Sequence, residues 1–333
     1  MNAIFLNANP QTIKTVYPEE TVAFLKTEAG LDGNIYTPDD LKKDPARFAE
    51  VRWIFSTWGI VPMCEEEIRT LLPKLECVFY AAGSVQHFAH PFLSCGVKVF
   101  SAWAANAVPV AEYTVAQIIL ANKGFYATAA LLSGGKVEES QALRVKYPGT
   151  YGEKVGIIGA GMIGKLVIRM LKAYRLKVLV FDPFLSDEAA KDLGVEKCSL
   201  ERLFAECQVV SNHLANNEQT KGMLGGALFA SMRPYATFLN TGRGAQVVEA
   251  ELADVLSRRE DLIAILDVTE PEPCEPGHPF YALKNCILTP HIAGSSGDEV
   301  RRMSEYMLEE FRLYKKGEPT QYEVTVEMLK TMA

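Results

Sequence analysis

The chain has 333 residues, of which 48% are apolar and 23% charged, with a formal net charge of −7. That length exceeds one ordinary domain, and the composition is that of a globular enzyme. The acidic balance argues against nucleic acid or an anionic membrane surface as partner, while leaving room for a locally basic pocket that takes an acidic substrate.

The opening stretch, MNAIFLNANPQTI, has no basic start, long apolar core or small-residue cleavage site, so no leader peptide is expected. No run of about 18 apolar residues stands out, so no membrane span is expected either. The seven cysteines (Cys64, Cys77, Cys95, Cys198, Cys207, Cys274, Cys286) are odd in number, scattered and without a CxxC pair. That pattern suits a reduced, cytoplasmic chain with neither a disulfide framework nor a metal site.

In chain order, short apolar runs predict strands at 4–6, 53–56, 78–81, 97–100, 154–158, 177–181, 209–213, 237–240, 263–267 and 286–288. Amphipathic stretches between them predict helices at 20–29, 65–72, 109–122, 161–173, 249–257 and 298–315. This alternation implies parallel sheets with crossover helices. The strands are apolar on both faces, as in Val178-Leu-Val-Phe181, which is what burial between two helical layers requires. The stretch 123–152 is glycine-rich, and the first junction is placed at its start, near Asn122. Residues 154–291 read as one six-strand unit, and the helix after it is expected to pack back on the first domain, making that domain discontinuous.

Gly159-Ala-Gly161-Met-Ile-Gly164 follows the strand KVGII and opens a helix. The first glycine permits a tight turn, the second lets backbone approach a pyrophosphate, and the third lets helix pack close on strand. The helix N-terminus then faces the anion. Asp182 ends the next strand at the distance where a carboxylate accepts from ribose hydroxyls and repels a 2′-phosphate; Pro183 and Phe184 follow it rather than a basic residue. NAD is therefore the expected cofactor. The plainer alternative is that Asp182 only caps the strand-to-loop transition.

Three more polar residues come just after short apolar strands: Arg243 in Thr241-Gly-Arg-Gly, Glu272 in the run from Asp267, and His291 in Thr289-Pro-His. Carboxyl ends of parallel strands line the ligand crevice, so these three should share one edge with the cofactor. A guanidinium grips a carboxylate through a planar fork. An imidazole delivers a proton to a carbonyl oxygen near neutral pH, and a neighbouring carboxylate orients the ring and favours imidazolium. Singly, each residue reads as an ordinary exposed loop residue; jointly, after a dinucleotide loop, they read as a catalytic set.

On Val110-Ala-Glu112-Tyr113, Gly159–Gly164, Asn240-Thr-Gly-Arg243-Gly, Asp267-Val268…Glu272-Pro273 and Thr289-Pro-His291-Ile-Ala-Gly294, in this order and spacing, the chain resembles the D-isomer-specific 2-hydroxyacid dehydrogenases. The resemblance implies an α/β protein of two doubly wound parallel-sheet domains with a cleft between them. A flavodoxin-like substrate domain would comprise 1–122 and 296–333, and a Rossmann-type NAD-binding domain 123–295. It implies that Arg243 binds the substrate carboxylate, Glu272 supports His291, and His291 is the acid/base. Met162, Ile163, Thr241, Gly242 and Gly294 join the glycine loop around the cofactor, Asp267 lies near the nicotinamide carboxamide, and the run containing His213, Leu214, Ala215 and Asn217 passes along it. It further implies a homodimer acting on a small D-2-hydroxy acid or 2-keto acid.

The chain departs from the family pattern in two ligand-facing loops. Ala81-Ala-Gly83-Ser84-Val85 stands where a Gly-x-Gly-Val-Asp-like run holds the substrate, and His213-Leu-Ala215-Asn-Asn217 stands where a His-x-Pro-Leu-Thr-like run is common. Gly83, Ser84 and Trp58 are candidate substrate contacts; Trp58 and Trp103 follow strands, and each could equally be packing. Two alternatives stand beside the dehydrogenase: an NAD(H)-sensing binding protein with vestigial catalysis, and formate or phosphonate oxidation on the same scaffold.

Overall fold

A computed structural model describes residues 1–330; positions 331–333, the end of the tail assigned to the substrate domain, lie outside the described residues. By contacts the chain divides into two compact units, 1–106 with 295–333, and 107–294. The junction expected near Asn122 and the contact boundary at Asn106 lie near opposite ends of one helix, Trp103–Asn122.

The first unit holds a six-stranded sheet. Its strands are β1 (Ala3–Leu6), β2 (Leu31–Tyr36), β3 (Trp53–Ser56), β4 (Cys77–Tyr80), β5 (Lys98–Ser101) and the late β13 (Glu323–Val324). The order is β13-β5-β4-β3-β1-β2, parallel except for β13. Phe55, Phe79 and Phe100 are register partners on neighbouring strands, and their rings stack at 5.2 and 4.9 Å. Phe311, on helix Arg301–Lys316, meets the first two edge-on at 5.6 Å. Met303, Met307 and Leu308 join the same core, so this late helix belongs to the first unit. Offset and edge-on contacts are the favoured ring geometries, and each such ring buries a large apolar area.

The second unit holds a seven-stranded parallel sheet, not the expected six. Its strands are β6 (Lys154–Ile158), β7 (Lys177–Phe181), β8 (Glu196–Lys197), β9 (Val209–Asn212), β10 (Thr237–Asn240), β11 (Ile263–Leu266) and β12 (Cys286–Leu288). The order is β12-β11-β10-β9-β6-β7-β8, the doubly wound Rossmann arrangement with its switch point between β6 and β9. The first sheet reverses between β1 and β3, the flavodoxin-like pattern. The expected fold class is therefore the observed one, with an antiparallel edge strand added to the first sheet.

Stretch 123–152, glycine-rich and with no helix expected in it, contains the helices Phe125–Ser133 and Val137–Arg144. Helix Trp103–Asn122 begins six residues before the expected start at 109, and Pro109 lies inside it. By length and composition alone this helix could cross a membrane, yet half of it is buried in the protein, as in the core helix of a globular domain. Ala111, Ile118 and Ala121 belong to the second unit's core, so apolar packing accounts for its composition.

Candidate active site

The strands of the second sheet are all parallel, so their carboxyl ends share one edge, and every sequence-predicted residue of this unit lies at or beyond such an end or on the helix after it. The glycine loop follows β6 at the switch point. Gly159 has φ +88°, and a Cβ there would lie 2.8 Å from the carbonyl oxygen of His213, in the loop after β9. At Gly164 a Cβ would fall 2.0 Å from the carbonyl oxygen of Gly159, so only glycine lets helix Met162–Leu171 pack this closely. At Gly161, by contrast, a Cβ would meet nothing within 4 Å. Protein packing explains the first and third glycines, while the second borders open space at a helix N-terminus, which is where a pyrophosphate fits. Met162 borders the same space and is half-exposed.

Asp182, at the end of β7, accepts from the backbone N–H of Ala160 at 2.7 Å, of Phe184 at 2.7 Å and of Leu185 at 3.1 Å. It therefore caps the turn and ties the glycine loop to β7. Each carboxylate oxygen carries more than one acceptor direction, so this role is compatible with holding hydroxyls as well.

His213 is turned inward. Its Nε2 lies 2.9 Å from Ser211 Oγ and its Nδ1 3.3 Å from Thr241 Oγ1, and full burial pushes its pKa down to about 3, leaving a neutral ring. Its expected cofactor contact can come only from backbone, because the ring is spent joining β9 to the turn after β10. Asn217 caps its own turn, its Oδ1 accepting from Gln219 N at 3.0 Å and Thr220 N at 3.1 Å. The carbonyl oxygens of Leu214 and Ala215 accept from the Gln246 side chain.

Beyond β10, Arg243 Nη1 donates to the carbonyl oxygen of its neighbour Gly242 at 2.7 Å, the guanidinium's one hydrogen bond among the described residues. Beyond β11 and β12, Asp267 is 1% exposed, and its carboxylate accepts from Thr289 Oγ1 (2.6 Å), Ile292 N (2.8 Å) and Ala293 N (2.9 Å). It holds the loop that carries His291. His291 sits at φ +53°, a left-handed conformation uncommon for a side-chain-bearing residue, and its N–H donates to the carbonyl oxygens of Asp267 and Thr289. Its Nδ1 lies 2.6 Å from Glu272 Oε1, both side chains being part exposed. A carboxylate only accepts, so Nδ1 carries the proton in this pair and Nε2 is the ring's other nitrogen, turned away from Glu272. Gly294 ends the unit.

In the first unit, Trp58 lies two residues past β3 and is 39% exposed, while its carbonyl oxygen accepts from Asn7 Nδ2 at 3.0 Å and Thr12 Oγ1 at 2.8 Å. Gly83 and Ser84 follow β4; the Gly83 carbonyl oxygen accepts from Ser101 Oγ at 2.6 Å, and Ser84 is exposed. Trp103 packs edge-on against Tyr322 at 5.6 Å on the first unit's core, the packing alternative. Sequence reasoning missed Asn7, Ser211, Asn212, Gln246 and Glu249. Of these, Asn212 had one signal, a carboxamide ending the otherwise apolar run of β9.

The family model for the D-isomer specific 2-hydroxyacid dehydrogenase NAD binding domain matches residues 115–293. D-3-phosphoglycerate dehydrogenase of Mycobacterium tuberculosis is 31% identical over 257 residues, 76% of this chain and 48% of that protein. Glyoxylate reductase of Korarchaeum cryptofilum is 36% identical over 180 residues, 54% of each chain. The chain thus spans about half the length of the curated relatives it matches. Among solved structures, a phosphoglycerate oxidoreductase from Rhizobium etli superposes with TM-score 0.81 at 22% identity, covering 98% of this chain and 99% of that one. D-mandelate dehydrogenase from Rhodotorula graminis does so with TM-score 0.80 at 20% identity, covering 97% of each. At these identities the likeness is one of fold.

Proposed function

The chain belongs to the D-isomer specific 2-hydroxyacid dehydrogenases, with that family's NAD-binding domain as its second unit, and from that premise we propose that it interconverts a small D-2-hydroxy acid and its 2-keto acid. The observation that carries this reading is the 2.6 Å pair between His291 Nδ1 and Glu272 Oε1, placed at the carboxyl edge of a doubly wound sheet. Bound NAD supplies or takes up the hydride. Arg243 grips the substrate carboxylate with the guanidinium face not bonded to Gly242. His291 Nε2 gives a proton to the carbonyl oxygen as the carbon is reduced and takes it back in the reverse direction. Glu272 orients the ring and stabilises the imidazolium form. Gly159, Gly161, Gly164 and Asp182 hold the dinucleotide, and the exclusion of a 2′-phosphate by Asp182 makes it NAD. Trp58, Gly83 and Ser84 are its proposed substrate contacts.

The test runs in both directions: D-3-phosphoglycerate with NAD, and glyoxylate and a series of 2-keto acids of varied side chain with NADH or NADPH. Turnover with NADH and little with NADPH is expected; no oxidation of NADH by any keto acid overturns the reading.

The assembly is a homodimer built on helix Phe125–Ser133, an apolar helix with no buried residue, beside the exposed Val137 and Val145. Sedimentation should give twice 36.8 kDa; a monomer, or a dimer that survives Leu132→Glu, contradicts it. The free state of all seven cysteines supports a cytoplasmic setting.

A further inference from the structure

Asn212, Asn240 and Gln246 are 0–1% exposed and stand where the loops after β9 and β10 meet. A carboxamide has two donor hydrogens and an oxygen with two acceptor directions, and burying one is costly unless these are met. Gln246 meets all four. Its Oε1 accepts from Asn212 Nδ2 at 2.5 Å and from the Arg243 backbone N–H at 3.2 Å. Its Nε2 donates to the carbonyl oxygens of Leu214 at 2.8 Å and Ala215 at 3.0 Å. The orientation of the amide is dictated, because only a donor can face those two carbonyls.

The network continues on both sides. Asn212 Nδ2 also donates to Asn240 Oδ1 at 3.0 Å, and Asn212 Oδ1 accepts from Leu214 N–H at 3.3 Å. Asn240 Oδ1 accepts from Gly242 N–H at 3.0 Å, and its Nδ2 donates to the carbonyl oxygen of Arg243 at 3.1 Å. Both main-chain polar groups of Arg243 are thus held by buried carboxamides. A Cβ on Gly242 would lie 2.7 Å from Gln246 Oε1 and 2.9 Å from Asn212 Nδ2, so the network fills the space against that turn.

We infer that Gln246 is a positioning residue that fastens the Arg243 turn to the 213–217 segment, giving the substrate carboxylate and the cofactor one shared buried anchor. The inference rests on the proposed roles of Arg243 and of the 213–217 segment. The Ala215 carbonyl oxygen is held by the Gln246 amide at 3.0 Å and by Thr220 Oγ1 at 2.7 Å, and of these only the Gln246 amide reaches the segment from the Arg243 turn. A buried network with every group satisfied has one arrangement, whereas a partly satisfied one has several. Losing it therefore loosens both ligand-facing loops together.

Gln246→Met keeps the length of the side chain and removes all four bonds. The expected result is an NADH dissociation constant raised about tenfold by fluorescence titration, the equivalent of one unmet buried hydrogen bond. The KM for glyoxylate, used as probe keto acid, should rise in parallel, with kcat changed less than twofold, because the His291–Glu272 pair is untouched. A merely structural role lowers thermal stability and active fraction, hence apparent kcat, and leaves the NADH dissociation constant and the KM alone; that result overturns the inference. If Gln246→Met does not fold, Asn212→Leu, which removes one of the four Gln246 bonds, should raise the NADH dissociation constant about threefold, and an unchanged constant is equally fatal. Wild-type protein that binds NADH but reduces no keto acid removes the dehydrogenase reading while leaving the binding arm to decide the role of Gln246.

Discussion

His291 and Asp267 are joined twice over: the N–H of His291 donates to the Asp267 carbonyl oxygen at 3.1 Å, and the Asp267 carboxylate takes the N–H groups of the two residues that follow His291. The histidine's left-handed backbone is thereby fixed from the strand next door, and its ring by Glu272.

If His291 Nε2 moves the proton, His291→Ala should lower kcat by about 10²–10⁴. Glu272→Gln should cost about tenfold, the value of one orienting hydrogen bond. The NADH dissociation constant should stay within twofold in both. A His291→Ala protein that keeps most of its turnover rules out the acid/base assignment.

The three loop glycines should respond differently to alanine. Gly164→Ala forces a Cβ to 2.0 Å from the Gly159 carbonyl oxygen and should cost roughly 1–3 kcal/mol of stability by overpacking. Gly161→Ala meets no protein atom within 4 Å, so its thermal midpoint should match wild type while NADH binding weakens. Equal destabilisation of the two variants would show that the middle glycine serves packing after all.

Asp182→Ala leaves the N–H groups of Ala160, Phe184 and Leu185 without their acceptor. Stability should fall by about 1–2 kcal/mol, as for loss of a capping side chain, and the preference for NADH over NADPH should shrink. Urea denaturation and paired titrations read the two effects separately; intact stability with altered preference would deny the capping role.

One buried and one largely buried group tilt stability with pH in opposite senses. Burial raises Glu249 to about 7, where its carboxyl faces the Glu270 N–H at 2.9 Å and His278 Nε2 at 3.7 Å. The folded protein therefore keeps a proton that the unfolded chain has released. This contribution is full below about pH 4.5 and is lost as pH rises through 7. His213, held down to about 3, does the reverse: its contribution is full above about pH 6.5 and drains away as pH falls toward 3. Between pH 4.5 and 6.5 the slopes partly cancel. Glu249→Gln should make stability rise more steeply with pH across that window in denaturant titrations; an unchanged slope would place the Glu249 pKa near its ordinary value.

The parts that were legible in the sequence are those where one local pattern decides. Continuous apolar runs marked the central strands, and parallel pairing then brought Arg243, Glu272 and His291 to one edge. β2 was missed because LDGNIY is an edge strand whose Asp32, Gly33 and Asn34 interrupt the apolar run and are not buried. Helix Phe125–Ser133 was missed because FYATAALLS is apolar all round and has no stripe to betray its period. Gln246 could not be read as buried, since a glutamine after an Arg-Gly turn is ordinarily solvated; only the convergence of two distant loops encloses it.

The stacked rings of Phe55, Phe79 and Phe100 are met edge-on by Phe311, against the first two, and by Tyr314, against the second and third, both of which lie far along the chain from them. During synthesis, the first unit to begin emerging from the ribosome is thus the last that can be finished. Residues 107–294 form a contiguous body able to close as soon as they are exposed, while the N-terminal sheet waits with bare aromatic faces for its late helix. A chain terminated before Arg301 should therefore be recovered with its second unit intact and its first unit aggregated or degraded.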